Sequence, residues 1–71
     1  MAYVQTTLTD LDNGQIEVVD GTMSGSDIDS TLYILSRNYK KLYTVESDSE
    51  LIIAYSTDKV KVELKISNED M

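Results

Sequence analysis

The side chains able to do chemistry in this 71-residue chain are mostly carboxylates: 13 Asp and Glu stand against six Lys and Arg, with no His and no Cys. Without His the commonest general base and metal ligand is missing. Without Cys there is no thiolate nucleophile, redox couple or thiolate zinc site. What remains is the chemistry of paired carboxylates, which serve as acid and base in glycoside hydrolysis or bind hard cations. The segment Asp10-Leu11-Asp12-Asn13-Gly14 begins like a calcium loop. With Gly14 at the sixth position, however, Thr9 and Leu11 occupy the first and third ligand positions and Asp20 the twelfth, so the spacing fails. Gly14, Gly21 and Gly25 do not form a phosphate cradle. A chain of this length can hardly enclose the deep cleft an enzyme needs. These observations argue for a protein that is not an enzyme and has no metal or other cofactor.

The acids are unevenly placed. Residues 1–36 contain Asp10, Asp12, Glu17, Asp20, Asp27 and Asp29 and no base, whereas the other seven acids and all six bases fall in residues 37–71. A net charge of −7 opposes direct binding to nucleic acid or to an anionic membrane and favours a basic protein partner. Alternate residues on one face of a strand lie ~6.6 to 6.8 Å apart, close to the phosphate spacing of a nucleic-acid strand, so a strand carrying Asp10 and Asp12 with Glu17 across from Asp10 would act as a nucleic-acid mimic. The six acids of the first half are the candidate partner-binding residues. Arg37, Lys40 and Lys41, interleaved with Tyr39 and Tyr43, could contact phosphates and stack on bases. They read better as the basic end of a helix.

In size, acidity and lack of Cys the chain resembles the small inhibitory proteins carried by bacteriophages and other mobile elements, including anti-restriction and anti-CRISPR proteins. That likeness is one of size and charge, covers no motif and carries over no functional residue. It implies a protein that inhibits or regulates a basic, nucleic-acid-handling partner. The alternative is a structural or assembly module that acts by homo-oligomerisation through Tyr3, Leu11, Ile16 and Val18, its acids serving only solubility. A domain this small buries only about 60% of its unfolded surface, and without disulfides or structural zinc the remaining supplement is a partner or a homodimer. No apolar run approaches the ~18 residues of a membrane helix, and the N-terminus lacks the basic start and apolar stretch of a signal peptide. A Cys-free composition fits a reducing compartment, so the expected location is the cytoplasm.

The elements that must position these groups follow from pattern. Residues 2–23 read as a β-hairpin with Asn13-Gly14 as a type I′ turn. That turn sets Leu11 against Ile16, Thr9 against Val18, Leu8 against Val19 and Asp10 against Glu17. Val4, Leu8, Val19 and Met23 then share one face, and Tyr3, Leu11, Ile16 and Val18 the other. Residues 26–42 read as a helix capped by Ser26 with Asp29 as its capping acid. Ile28, Leu32, Leu35, Tyr39 and Leu42 form its apolar stripe. Residues 43–66 form a hairpin or three-stranded meander, with Ser47–Glu50 as a turn. Taking Thr57-Asp58 as the last loop pairs Leu51 with Leu64, Ile53 with Val62 and Tyr55 with Val60. Residues 67–71 read as a frayed end. The expected fold is α+β in a small two-layer domain spanning 1–71. Its order is ββα followed by two or three strands, with one helix packed on an antiparallel sheet. A curled, barrel-like sheet plugged by the helix is the competing architecture.

Overall fold

The computed structural model describes residues 2–68. Five strands and one helix follow in the order ββαβββ: β1 Ala2–Asp10, β2 Ile16–Met23, α1 Gly25–Asn38, β3 Lys40–Glu46, β4 Glu50–Ser56 and β5 Val60–Asn68. The fold is α+β, and the third strand of the second half is present. The sheet is open, in the order β2-β1-β5-β4-β3, and every pairing is antiparallel. It does not close into a barrel. β1 and β5, from opposite ends of the chain, meet in the middle, while β2 and β3 form the edges.

The first hairpin closes on a longer loop than a type I′ turn. The Asp10 N–H donates to the Gln15 carbonyl at 2.8 Å, and the Gly14 N–H donates to the Asp10 carbonyl at 2.8 Å. Among the described residues Gly14 alone has a positive φ, 75°, which glycine adopts without the steric penalty of a Cβ. The register is therefore Thr9 with Ile16, Leu8 with Glu17, Thr7 with Val18 and Thr6 with Val19. It differs by two residues from the pairing of Leu11 with Ile16 and Asp10 with Glu17. The second hairpin differs by the same amount. Thr57 donates to the Val60 carbonyl at 2.9 Å, so Asp58 and Lys59 form the loop and Leu51 pairs with Ile66, Ile53 with Leu64 and Tyr55 with Val62. Thr57 fixes that loop by accepting from the N–H groups of Lys59 and Val60, both at 3.1 Å. Because side chains alternate with a period of two, a two-residue shift leaves each on its expected face.

The helix also shifts. Ser24, not Ser26, caps it, accepting from the Asp27 N–H at 3.2 Å. The acid three residues beyond the cap is thus Asp27 in place of Asp29. The helix stops at Asn38, whose side-chain amide donates to the Ile34 carbonyl at 3.0 Å, and Tyr39 is the C-cap. Leu42 leaves the stripe and becomes an exposed residue of β3, as do Lys40 and Lys41. At the chain's end, Ser67 is not frayed but pairs with Tyr3 and Glu50 within β5. Residues 69–71 lie outside the described residues.

One face of the sheet carries the core. Val4, Leu35, Ile53, Tyr55, Val62 and Leu64 are buried together, with Leu8, Met23, Ile28, Leu32, Tyr39, Leu51 and Ile66 packed around them. The helix enters beside the end of β2 and leaves into the start of β3, so it crosses the sheet diagonally. Fourteen residues at ~1.5 Å each give roughly 21 Å, enough to cross four strand spacings of ~4.8 Å. A diagonal helix leaves two corners of its face open.

The face away from the helix has its own closed contact. Tyr43 on β3, Ala54 on β4 and Glu63 on β5 lie in one row. The Tyr43 hydroxyl donates across Ala54 to the Glu63 carboxylate, and the Lys61 ammonium lies 5.5 Å from the ring centroid. The hydrogen bond to Glu63 chiefly, then burial, then repulsion by the Glu63 charge, hold the Tyr43 pKa above its ordinary value. A folded-state value above the unfolded one means the contribution to stability is complete below about pH 10 and is lost as pH rises through the folded value. Ultraviolet titration near ~295 nm should therefore show a tyrosine ionising above the ordinary range, and Glu63→Gln should return it towards that range. Unchanged titration in that variant would rule out the Glu63 contact as the cause.

Candidate functional site

The loop that resets the hairpin also resets the acids. Asp10 ends β1, and its carboxylate accepts from the Asp12 N–H at 2.9 Å; the Asn13 side-chain oxygen accepts from Gln15 in the same way at 2.9 Å. Asp12 is thus a turn residue, not a strand neighbour of Asp10. Leu8 lies opposite Glu17, and Asp10 and Glu17 are diagonal neighbours on the helix side of the sheet. Asp20, opposite Gln5, projects from the other face. A regular ladder of carboxylates at phosphate-like spacing is therefore not what this hairpin builds.

What it builds is an acidic side. β2 is an exposed edge strand, with Glu17 on one face and Asp20 on the other. Asp10 and Asp12 lie at its hairpin end, and Asp27 and Asp29 sit at the helix start that follows its far end. Asp27 lies in the first helical turn, where its charge complements the helix dipole. The six acids thus follow β2 and its two ends, a strand of eight residues or roughly 26 Å, without converging on one point. Most bases lie elsewhere: Lys40 and Lys41 on β3, Lys61 and Lys65 on β5, and Arg37 in the last helical turn. Lys59 is the base nearest the hairpin loop, since its carbonyl accepts from the Leu11 N–H at 2.9 Å.

Two of the six acids do come together. One open corner beside the helix is a recess of about 600 Å³ lined by Leu8, Asp10, Gln15, Ile16, Glu17 and Val60. Leu8, Asp10, Glu17 and Val60 share the helix side of the sheet there, whereas the Ile16 side chain belongs to the open face. Composition alone missed this recess, because it depends on Val60 of β5 lying opposite Asp10 of β1. Among the described residues no group of three or more His, Cys, Asp or Glu is placed to hold a metal ion, and no helix is long and apolar enough to cross a membrane. Of the four apolar candidates for self-association, Ile16 and Val18 are adjacent on the open face of β2 and Leu11 is in the nearby loop. Tyr3 lies at the opposite end of β1, so the four do not form one patch. Comparison of the chain with family models, with curated proteins and with solved structures finds no match in any of the three.

Proposed function

We propose that this is a small, non-enzymatic binding protein that inhibits or regulates a basic, nucleic-acid-handling protein by docking it along the acidic β2 side. The observation that supports the reading is the recess where Asp10 and Glu17 stand beside Leu8 and Val60. A Lys or Arg side chain has matching chemistry, an apolar stem to lie against Leu8 and Val60 and a charged head for the two carboxylates. Asp20, Asp27 and Asp29 extend the negative field along the same side, which would steer a basic partner over about one Debye length, ~10 Å at 0.1 M salt.

The test is retention of lysate proteins on the immobilised chain, with and without duplex DNA as competitor. Asp10→Asn with Glu17→Gln removes both rim charges while keeping an acceptor oxygen for the Asp12 N–H. Retention of a nucleic-acid-binding protein should fall about tenfold in the double variant, weaken with salt, and be displaced by the DNA. Equal retention by both proteins, or indifference to DNA, would overturn the reading.

A further inference from the structure

We propose that two copies of the chain pair along β3, antiparallel, about a twofold axis at Thr44, joining their sheets into one of ten strands. This pairing is independent of the acidic side and uses the opposite edge. β3 pairs with β4 on one flank and is the edge of the sheet on the other. It is exposed along all seven residues, and Leu42 and Val45 are about half exposed, at 50% and 52%. An edge with free backbone groups, no proline and apolar side chains is a template for another strand.

The sequence of β3 fits its own reverse once its bulge is counted. The register shifts between Lys41 and Tyr43, leaving Leu42 as the extra residue. Lys41, Thr44 and Glu46, opposite Tyr55, Ile53 and Leu51, therefore share the helix side, and Lys40, Tyr43 and Val45 share the open face. With Thr44 opposite Thr44 of the second copy, Tyr43 stands opposite Val45 on the open face, its ring turned inward over Ala54 to Glu63, and Lys41 meets Glu46 on the helix side, each twice by symmetry. Base with acid is a favourable cross-strand pair. Centring the axis on Val45 also matches the faces but leaves Lys41 without Glu46.

Charge selects this edge over the other. Self-pairing of β2 would bring the acids of two acidic edges together, whereas β3 carries two bases and one acid on a molecule of net charge −7. Pairing β2 of one copy with β3 of the next also matches charge, but it repeats without closing and yields chains of copies. An edge of seven residues falls near or below the ~1,200 Å² of a stable interface, so the dimer should dissociate in the micromolar range or above.

The chain has no Cys, so a single introduced thiol reports its own neighbour. Directly opposed residues have Cβ atoms ~4.5 to 5.5 Å apart, close to disulfide geometry. Thr44→Cys should form a disulfide dimer under mild oxidation at least ~tenfold faster than Val18→Cys on β2. In sedimentation up to ~0.5 mM the unmodified chain should shift to twice its monomer mass and stop there. Lys41→Glu should weaken the dimer about tenfold, and adding Glu46→Lys should restore it; far-ultraviolet dichroism would establish that each variant keeps its fold. A strict monomer throughout, growth beyond two copies, equal cross-linking at both positions, or no restoration by the charge swap in folded variants would each overturn the proposal.

Discussion

Leu64→Ala is expected to lower the unfolding free energy by about 2–5 kcal/mol, the usual range for emptying a buried leucine site. Leu64 is 3% exposed and lies mid-way along β5, opposite Thr6 of β1 and Ile53 of β4. It belongs to the cluster that holds Leu35 of the helix against the sheet. Loss of its side chain leaves a void where strands from the two ends of the chain meet. A domain of this length has about 4–11 kcal/mol in total, at 0.05–0.15 kcal/mol per residue, so the variant should be close to its unfolding threshold at room temperature. Urea titration with the slope unchanged measures the effect. Ile16→Ala, at a side chain 66% exposed, should stay within about 0.5 kcal/mol of the parent. A loss below ~1 kcal/mol for Leu64→Ala would contradict the packing of β5 under the helix.

The element order and the faces were legible because they depend on local periodicity. Alternation put Val4, Leu8, Val19 and Met23 on one face and Lys61, Glu63 and Lys65 on the other side of the sheet from Val62 and Leu64, as the pairings have it. Register was not legible, because a slip of two residues leaves that alternation unchanged. In both hairpins the decision falls to loop hydrogen bonds, from Gly14 and Asp12 to Asp10 and from Lys59 and Val60 to Thr57. The helix end was misread because Leu42 continues the 3.6-residue spacing by coincidence. The β-branched and aromatic run Tyr43-Thr44-Val45 and the pairing with β4 draw Lys40 to Glu46 into a strand. The candidate site was half legible. Asp10 and Glu17 still share a face despite the slip, but the third wall of their recess, Val60, comes from the pairing of β1 with β5. That contact is between distant parts of the chain and leaves no local signal.

Ala54→Leu tests the contact on the open face and should cost about 1–3 kcal/mol by overpacking. Ala54 has no exposed surface at all, although the helix is on the other side of the sheet. Its position in the row between Tyr43 and Glu63 explains this: the tyrosine reaches from the edge strand over the small side chain to the carboxylate on β5. A leucine there puts three more carbon atoms where the ring passes, so the ring must lift and its hydroxyl must leave Glu63. Two readouts should then move together. Thermal unfolding should occur at a lower temperature, and the late-ionising tyrosine should return towards its ordinary range, because the hydrogen bond that chiefly raises its pKa is gone. Destabilisation with the titration unchanged would mean that the leucine strains the sheet without displacing Tyr43. Since that ring ties β3 across β4 to β5, amide exchange should also quicken in β3 before it does in β5, which is held on both sides by β1 and β4.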